Sequence, residues 1–310
     1  MNIISERKII IITRQTRADE LVRKFNNMTQ AAFYVEKMGG DINEYIEESN
    51  VYKGSVSSSL SQIQELARVQ QIDREYIPSF IFGDDDIVVV IGQDGLVANT
   101  LKYLRGQPLI AVNPDPSRYD GVLLPFRIHD LPHIVRDVIN NRRSQKEITM
   151  ASAELNDGQS LLAVNDLFIG RQTHVSSRYN IRIDGKEELQ SSSGIIVSTG
   201  LGSTGWLKSV IAGAIGIAQS IAGREITGDV SAHRWDSNYL YYSVREPFPS
   251  NTTGASLVFG MIKDTPLQIV SQMPEGGVIF SDGIEQDFLQ FNSGIEVRIS
   301  VAPKKGYLVV

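Results

Sequence analysis

The sequence predicts an α/β N-terminal domain followed by a β-rich (α+β) domain. Three observations carry this expectation. Strand and helix signals alternate through the first part of the chain, the pattern of a parallel sheet covered by helices. The run Asp85 to Ile91 is β-branched and apolar beyond its acidic start, which suits a strand buried on both faces. After Lys146 short strand-like segments recur, several of them separated by turn signals such as Asn156-Asp157-Gly158 and Asp184-Gly185. The boundary is placed at the hydrophilic joint Asn141-Arg142-Arg143-Ser144, giving domains 1–143 and 144–310.

Each element follows from local chemistry. Lys8 to Thr13 is a strand, and Thr16 is an N-cap for the helix after it. That helix carries Leu21, Val22, Phe25, Met28 and Ala32 on one side and ends at Gly39-Gly40. A weaker helix spans 50–70, with Leu60, Ile63, Leu66 and Ala67 at helical spacing. The strand at 86–91, a helix at 96–104 and a short strand from Leu109 to Val112 follow, with Asn113-Pro114-Asp115-Pro116 as a rigid exit. A helix from Asp130 to Asn141 closes the domain. In the second half, strands are expected at 147–155, 161–169, 179–183, 194–199, 239–245, 256–262, 267–272, 277–281 and 295–301. One helix at 205–222 interrupts them; its stretch Val210 to Ala222 is so rich in Ala, Gly and Ile that it reads as packed tightly in the interior.

Composition narrows the function. The 310 residues are 42% hydrophobic and 21% charged, enough for a real core. A formal charge of −6 argues against a nucleic-acid or anionic-membrane surface. The absence of cysteine excludes disulfides, thiolate catalysis and Cys-ligated metals. His129 and His133 are four apart with Pro132 between them and read as surface residues at a helix start, so no metal site is expected from histidine. Neither a signal-peptide core nor a membrane-length apolar stretch is visible, and a cytoplasmic protein is expected.

Three segments carry chemistry. Gly92-Gln93-Asp94-Gly95 lies where the buried strand gives way to a helix, the place where ligands sit in open α/β sheets. Glycines let backbone N–H groups approach phosphates, and the helix start adds a favourable dipole. Asp94 would repel phosphate, so it makes sense as the acceptor of a hydroxyl proton or as a magnesium ligand; a plain Asp-Gly turn is the competing reading. Asn165-Asp166, amid apolar strand residues, is either a ligand contact or turn chemistry at an edge strand. Ser198-Thr199-Gly200-Leu201-Gly202-Ser203-Thr204-Gly205-Trp206 opens the small-residue helix. It offers hydroxyls and close backbone approach to a nucleotide, and Ser203 or Thr204 equally suits an N-cap. Arg171, His174 and Arg178 form a basic loop able to meet phosphate if it faces a cleft.

In this order the segments resemble those of the NAD kinase family, within the wider NAD kinase and diacylglycerol kinase superfamily. Its Gly-Gly-Asp-Gly-Thr, Asn-Glu and Thr-Pro-Thr-Gly-Ser-Thr-Ala-Tyr segments correspond to residues 92–96, 165–166 and 199–206. Gln93, Leu96, Asp166 and Trp206 replace the family's Gly, Thr, Glu and Tyr, and Ser193-Gly194 stands where the family often has Asp-Gly. The resemblance implies an N-terminal domain of Rossmann-like character, a β-rich C-terminal domain and a dinucleotide site between the two. Asp94 would take the proton of the adenosine ribose 2′-hydroxyl of NAD, while the Gly92–Gly95 loop and Mg²⁺ position the γ-phosphoryl group of ATP. Asn165, Asp166, Ser198, Thr199 and Ser203 would contact the acceptor nucleotide, beside Gly202, Thr204 and Trp206. Homo-oligomers are common in the family, and edge strands of a β-rich half are able to pair between subunits. Two further functions fit the pattern: a kinase of the same mechanism for another sugar, nucleoside or lipid, and a non-catalytic nucleotide sensor, the latter suggested by Gln93 and Leu96.

Overall fold

The computed structural model describes residues 5–226 and 233–310. The chain divides into two compact units, residues up to Lys146 together with Tyr307–Val310, and Glu147–Gly306.

The first unit is built on a parallel sheet. Strand β1 (Ser5–Thr13) leads to helices α1 (Arg17–Phe25), α2 (Met28–Lys37) and α3 (Ile42–Gln64), then to β2 (Ala67–Asp73) and β3 (Ile87–Ile91). Helix α4 (Asp94–Leu101), β4 (Pro108–Asn113), the two-residue β5 (Phe126–Arg127) and α5 (Leu131–Ile139) complete it. The strands lie in the order β2, β1, β3, β4, with Tyr307 and Leu308 of the returning chain pairing on β4. Ile9 to Ile12 and Ile87 to Ile91 are wholly buried, as the unbroken β-branched runs require of strands covered on both faces. Tyr52, Val56 and Ile63 of α3 and Leu131, Ile134 and Val135 of α5 share one core with them.

Thr16 caps α1 in a full capping box with Asp19, as its sequence position suggests. The single helix expected to run on to Gly39-Gly40 is two helices. Asn26 takes the left-handed conformation (φ 65°) and Asn27 caps α2, so the expected apolar stripe is broken and Met28 is exposed. The expected helix over 50–70 starts earlier, at the Asp41 cap, and ends at Gln64. Leu66 and Ala67 pack at the start of β2, a strand not anticipated.

The second unit holds two antiparallel sheets facing one core. Its strands are β6 (Gln145–Leu155), β7 (Ser160–Ala163), β8 (Asp166–Arg171), β9 (Ser177–Ile183), β10 (Lys186–Ser192) and β11 (Ile195–Ser198). After helix α6 (Trp206–Ala222) come β12 (Leu240–Val244), β13 (Phe259–Ile262), β14 (Leu267–Ser271), β15 (Gly277–Ser281), β16 (Ile284–Gln290) and β17 (Glu296–Val309). One sheet runs β13, β12, β11, β8, β15, β16. The other contains β10, β9, β14 and the first part of β17, with β6 and β7 joined to it. Ile169, Ile195 and Val197 of the first sheet meet Tyr179, Ile181, Ile269 and Val297 of the second in a common core.

Two expectations need correction here. The strand expected over 161–169 breaks at Val164-Asn165, between β7 and β8. Helix α6 forms as expected but is not interior: among its residues only Leu207 is buried, while Ile217 and Ile221 are 64% and 83% exposed. From Ser209 to Ala222 the helix carries no charge and no polar face, so its composition says nothing about where a neighbour lies. Among the described residues no helix is long and apolar enough to cross a membrane.

Candidate functional site

In the first unit, β3 ends at Ile91 and the chain turns directly into α4, with Gln93 as the N-cap residue and Asp94 as the first helical residue. An acid there is favoured by the helix dipole. The carboxylate has defined partners: Oδ1 accepts the backbone N–H of Leu123 at 2.9 Å and Oδ2 that of Val122 at 3.0 Å. Asp94 therefore holds the loop after β4 against the end of β3, and each oxygen retains a further lone-pair direction. Gln93 is exposed and makes no capping bond, and Gly95 is exposed with open space where a Cβ would lie. At Gly92 a Cβ would stand 2.8 Å from Leu96 Cδ2, and Leu96 is buried. Leucine at 96 thus packs beneath the loop instead of presenting a hydroxyl.

The loop held by Asp94 is anchored again at Tyr119. Asn113 Nδ2 donates to the Tyr119 carbonyl at 2.9 Å. The Tyr119 hydroxyl donates to Glu48 at 3.2 Å and accepts from Arg14 at 3.0 Å. Glu48 is buried, and Arg14 and Arg17 both bond its carboxylate. Burial by itself raises the Glu48 pKa, but the two guanidinium bonds outweigh it and hold the carboxyl below its ordinary value. Tyr52 adds a bond from its hydroxyl to the Ile91 carbonyl at 2.9 Å, fixing the end of β3. Arg14, Glu48 and Tyr119 carried no motif and escaped the sequence reading.

In the second unit the structure brings Asn165, Asp166, Ser198, Thr199, Gly202 and Ser203 together. The break at Asn165 has a cause: the Asp282 carboxylate accepts the backbone N–H groups of Val164, Asn165 and Asp166, at 2.6–3.2 Å. Asp282 lies in the Asp-Gly turn between β15 and β16, a signal readable as a turn but not as a partner of residue 165. The Asn165 side-chain amide has no hydrogen-bond partner among the described residues and is partly exposed, hence available to a ligand. Asp166 is different. Burial pushes its carboxyl up to about 7, against a lowering bond from Ser198, and the nearby Asp282 charge adds to the rise. Its Oδ1 is shut off from solvent without a hydrogen-bond partner.

The hydroxyls of the 198–206 segment are largely committed to the fold. Thr199 Oγ1 donates to the Val164 carbonyl at 2.6 Å and accepts from Gly202 N–H. Ser203 Oγ donates to the Gly200 carbonyl at 2.7 Å and accepts the His233 N–H. Thr204 bonds the Leu201 carbonyl, and no side chain caps α6. The glycines serve close approach: a Cβ at Gly200 would collide with the Arg234 carbonyl, and one at Gly202 with the Asn165 carbonyl. Trp206 stands apart from this knot. Its ring stacks on Phe168, centroids 5.8 Å apart, and Arg245 lies over it at 5.5 Å.

Trp206 lines a cavity of about 330 Å³ in the second unit. Phe168, Phe280 and Phe288 contribute further rings, and Arg171, His174 and Arg245 contribute nitrogen. Two members of the basic loop, Arg171 and His174, thus face a pocket, while Arg178 lies on β9 and is exposed. His129 and His133 are exposed, each near an aspartate, Asp130 at 3.3 Å and Asp137 at 3.4 Å.

No family model matches the sequence. Among curated proteins, the chain is 30% identical over 129 residues to the NAD kinase of Brucella melitensis, covering 40% of this chain and 48% of that protein. It is 29% identical over 139 residues to NAD kinase 2 of Geobacillus kaustophilus, covering 42% and 51%. The chain spans about half the length of the curated relatives it matches. Its fold is similar to that of a yeast NADH kinase complexed with NADH, with TM-score 0.58 at 15% identity over 99% of this chain and 84% of that one. It is also similar to an NAD kinase from Archaeoglobus fulgidus in complex with ATP, with TM-score 0.57 at 16% identity over 98% and 93%. The fold, an α/β domain followed by a β-rich domain, is that of the NAD kinases.

Proposed function

We propose that the protein is an NAD kinase-like phosphotransferase that moves the γ-phosphoryl group of ATP to a ribose hydroxyl, with NAD as acceptor. The observation that carries this reading is the position of Asp94: a carboxylate fixed by two backbone N–H groups at the carboxyl end of the central strand β3, at the start of a helix. The partial identity to curated NAD kinases supports it. Asp94 accepts the proton of the attacking hydroxyl through a remaining lone pair, and its two amide bonds hold it in one orientation. The Gly92–Gly95 loop and the start of α4 receive phosphate. Asn165 offers its unpaired side-chain amide to the acceptor nucleotide, and Asp166, poised near neutrality, is able to donate as well as accept. Ser198, Thr199, Gly202 and Ser203 hold the backbone that presents these two residues; Thr204 and Trp206 flank it.

Magnesium belongs to this reading. Among the described residues no cluster of three or more His, Asp or Glu side chains stands ready to hold a metal. The donors fit an ion carried chiefly by phosphate oxygens, with Asp94 as the protein carboxylate. When bound, Mg²⁺ supplies neutralisation of the charge on the transferring group. A homo-oligomer, a cytoplasmic location and the absence of a nucleic-acid or membrane partner complete the proposal.

A second reading, a nucleotide sensor without turnover, is favoured by one observation: Leu96 fills the space under Gly92 and Gln93 projects a side chain at the loop. Transfer of labelled phosphate from ATP, tested against NAD, NADH, nucleosides and sugars, decides between them. Labelled NADP supports the kinase; binding without transfer to any acceptor supports the sensor.

A further inference from the structure

Helix α6 is an apolar element without a cover among the described residues. From Ser209 to Gly223 no side chain is ionisable, and the three polar ones turn back onto the chain. Ser209 and Ser220 donate to the Gly205 and Gly216 carbonyls, and Gln219 donates to the Ile226 carbonyl at 3.1 Å. A helix apolar on every side is ordinarily buried, in a core or in a membrane. Yet Leu207 alone is buried in α6, and the helix is not long and apolar enough to span a bilayer. A helix that lies on a lipid surface has a charged face opposite its apolar one. From Ser209 onward α6 has no such face.

Two glycines mark the open face. Gly213 and Gly216 sit in the middle of the helix, where glycine weakens helical structure. Neither has a positive φ, and among the described residues no neighbouring atom lies within 4 Å of the place a Cβ would occupy. Gly200 and Gly202, by contrast, are required because another stretch of backbone closes on them. A backbone closing on Gly213 and Gly216 from a second molecule gives these two the same role. Ser209, Gly213, Gly216 and Ser220 follow the alternating four- and three-residue spacing of a helix–helix seam. Ile217 and Ile221, both largely exposed, stand along one flank of that seam, and Val210 and Ala214 precede them on the same flank.

We infer that α6 pairs antiparallel with α6 of a second copy of this chain about a twofold axis, the two backbones lying closest at Gly213 and Gly216. Antiparallel pairing sets Ser209 against Ser220 and Gly213 against Gly216. It also brings the bulky Ile217 and Ile221 of one helix beside the smaller Val210 and Ala214 of the other. The face is thus complementary to itself, as a twofold contact requires. A 17-residue helix is about 26 Å long, and two such faces pressed together bury on the order of 1,000 Å² in total. That area is at the lower bound for a specific interface and fits a reversible, micromolar dimer. The pairing needs no nucleotide and does not depend on phosphoryl transfer.

Analytical ultracentrifugation of the full chain across the micromolar range tests the pairing. Wild type is expected to gain mass reversibly with concentration. Ile217→Glu combined with Ile221→Glu, both at exposed positions, is expected to abolish that gain and leave Tm unchanged. Gly213→Leu and Gly216→Leu should each weaken association about tenfold or more, because leucine overfills the seam. The same variants should unfold at an equal or higher temperature, because leucine favours the helix. The chain has no cysteine, so introduced thiols read the direction of pairing. Ser209→Cys mixed with Ser220→Cys should oxidise to a mixed disulfide, and neither variant alone should crosslink. A wild type that stays monomeric, a double glutamate variant that associates like wild type, or leucine variants with unchanged association overturns the proposal. Crosslinking of each thiol variant with itself, and not with the other, overturns the antiparallel arrangement. Cosedimentation of wild type with neutral phosphatidylcholine vesicles, lost in the double glutamate variant, assigns the face to lipid and overturns the proposal as well.

Discussion

The backbone N–H of Leu123 donates to the Asp94 carboxylate at 2.9 Å, and that of Val122 donates to its other oxygen at 3.0 Å. The proposed base is therefore also the clasp of the loop that follows β4. Asparagine at this position keeps one acceptor and turns an N–H₂ toward the second backbone donor. Losing one such bond and leaving a donor unpaired costs about 1–3 kcal/mol. Asp94→Asn is expected to stay folded with Tm lower by a few degrees, and Asp94→Ala to lose more. Thermal unfolding followed by circular dichroism measures both; an Asp94→Ala variant as stable as wild type would remove the clasp.

Glu48 anchors the same loop from the other side through Tyr119 and is itself held by Arg14 and Arg17. Breaking a buried ion pair by removing one partner typically costs about 3–5 kcal/mol. Glu48→Gln is expected to lose stability on this scale, and Tyr119→Phe much less. Because the folded pKa of Glu48 is depressed, its contribution is fully present above the unfolded carboxylate value and is lost as pH falls through the folded one. Urea titrations at pH 7 and pH 3 should thus show a smaller gap between Glu48→Gln and wild type at the lower pH; an equal gap refutes the assignment.

Asp166 has the opposite sign. Its folded pKa, about 7, stands above the unfolded aspartate value, so between roughly pH 4 and 7 the folded state holds a proton that the unfolded chain has released. That contribution to stability is full below the unfolded value and is lost as pH rises through 7. Asp166→Asn removes the dependence. It is expected to be more stable than wild type at pH 8 by about 1 kcal/mol or more, and to lose that advantage near pH 4. Parallel stability curves for the two proteins would show that Asp166 titrates normally.

The fold was legible where the chain wrote it twice. The β1 and β3 runs combine β-branched composition with turn residues at their ends, and Thr16 with Asp19 spells a capping box. The motif residues were legible as a set, but their division of labour was not. Thr199 and Ser203 look like ligand hydroxyls in sequence, yet both are spent on backbone carbonyls. Asp282, 117 residues from Asn165, shapes the Asn-Asp segment through hydrogen bonds that no local pattern encodes. Helix α6 was misplaced because a helix apolar on every side carries no direction. The Phe168, Phe280 and Arg245 side chains come from separate strands and a loop and converge only in the folded unit.

Asn165 has the one side chain in its knot with an unpaired, partly exposed amide. Asn165→Ala should weaken acceptor binding tenfold to a hundredfold, equivalent to about 1–3 kcal/mol, and leave ATP affinity within about twofold. Isothermal titration with NAD and with ATP measures the two separately. An unchanged NAD titration would return the residue to its turn.

The central claim is that Asp94 accepts the proton in phosphoryl transfer. The most direct measurement is the single-turnover rate from ATP to NAD for wild type and Asp94→Asn, with both nucleotide affinities measured on the same samples. General-base catalysis contributes about 10²–10⁴-fold, so Asp94→Asn should be slower by that factor while ATP and NAD affinities change little. A variant that transfers phosphate at the wild-type rate, or a wild-type protein that binds both nucleotides and transfers to neither, would contradict the account.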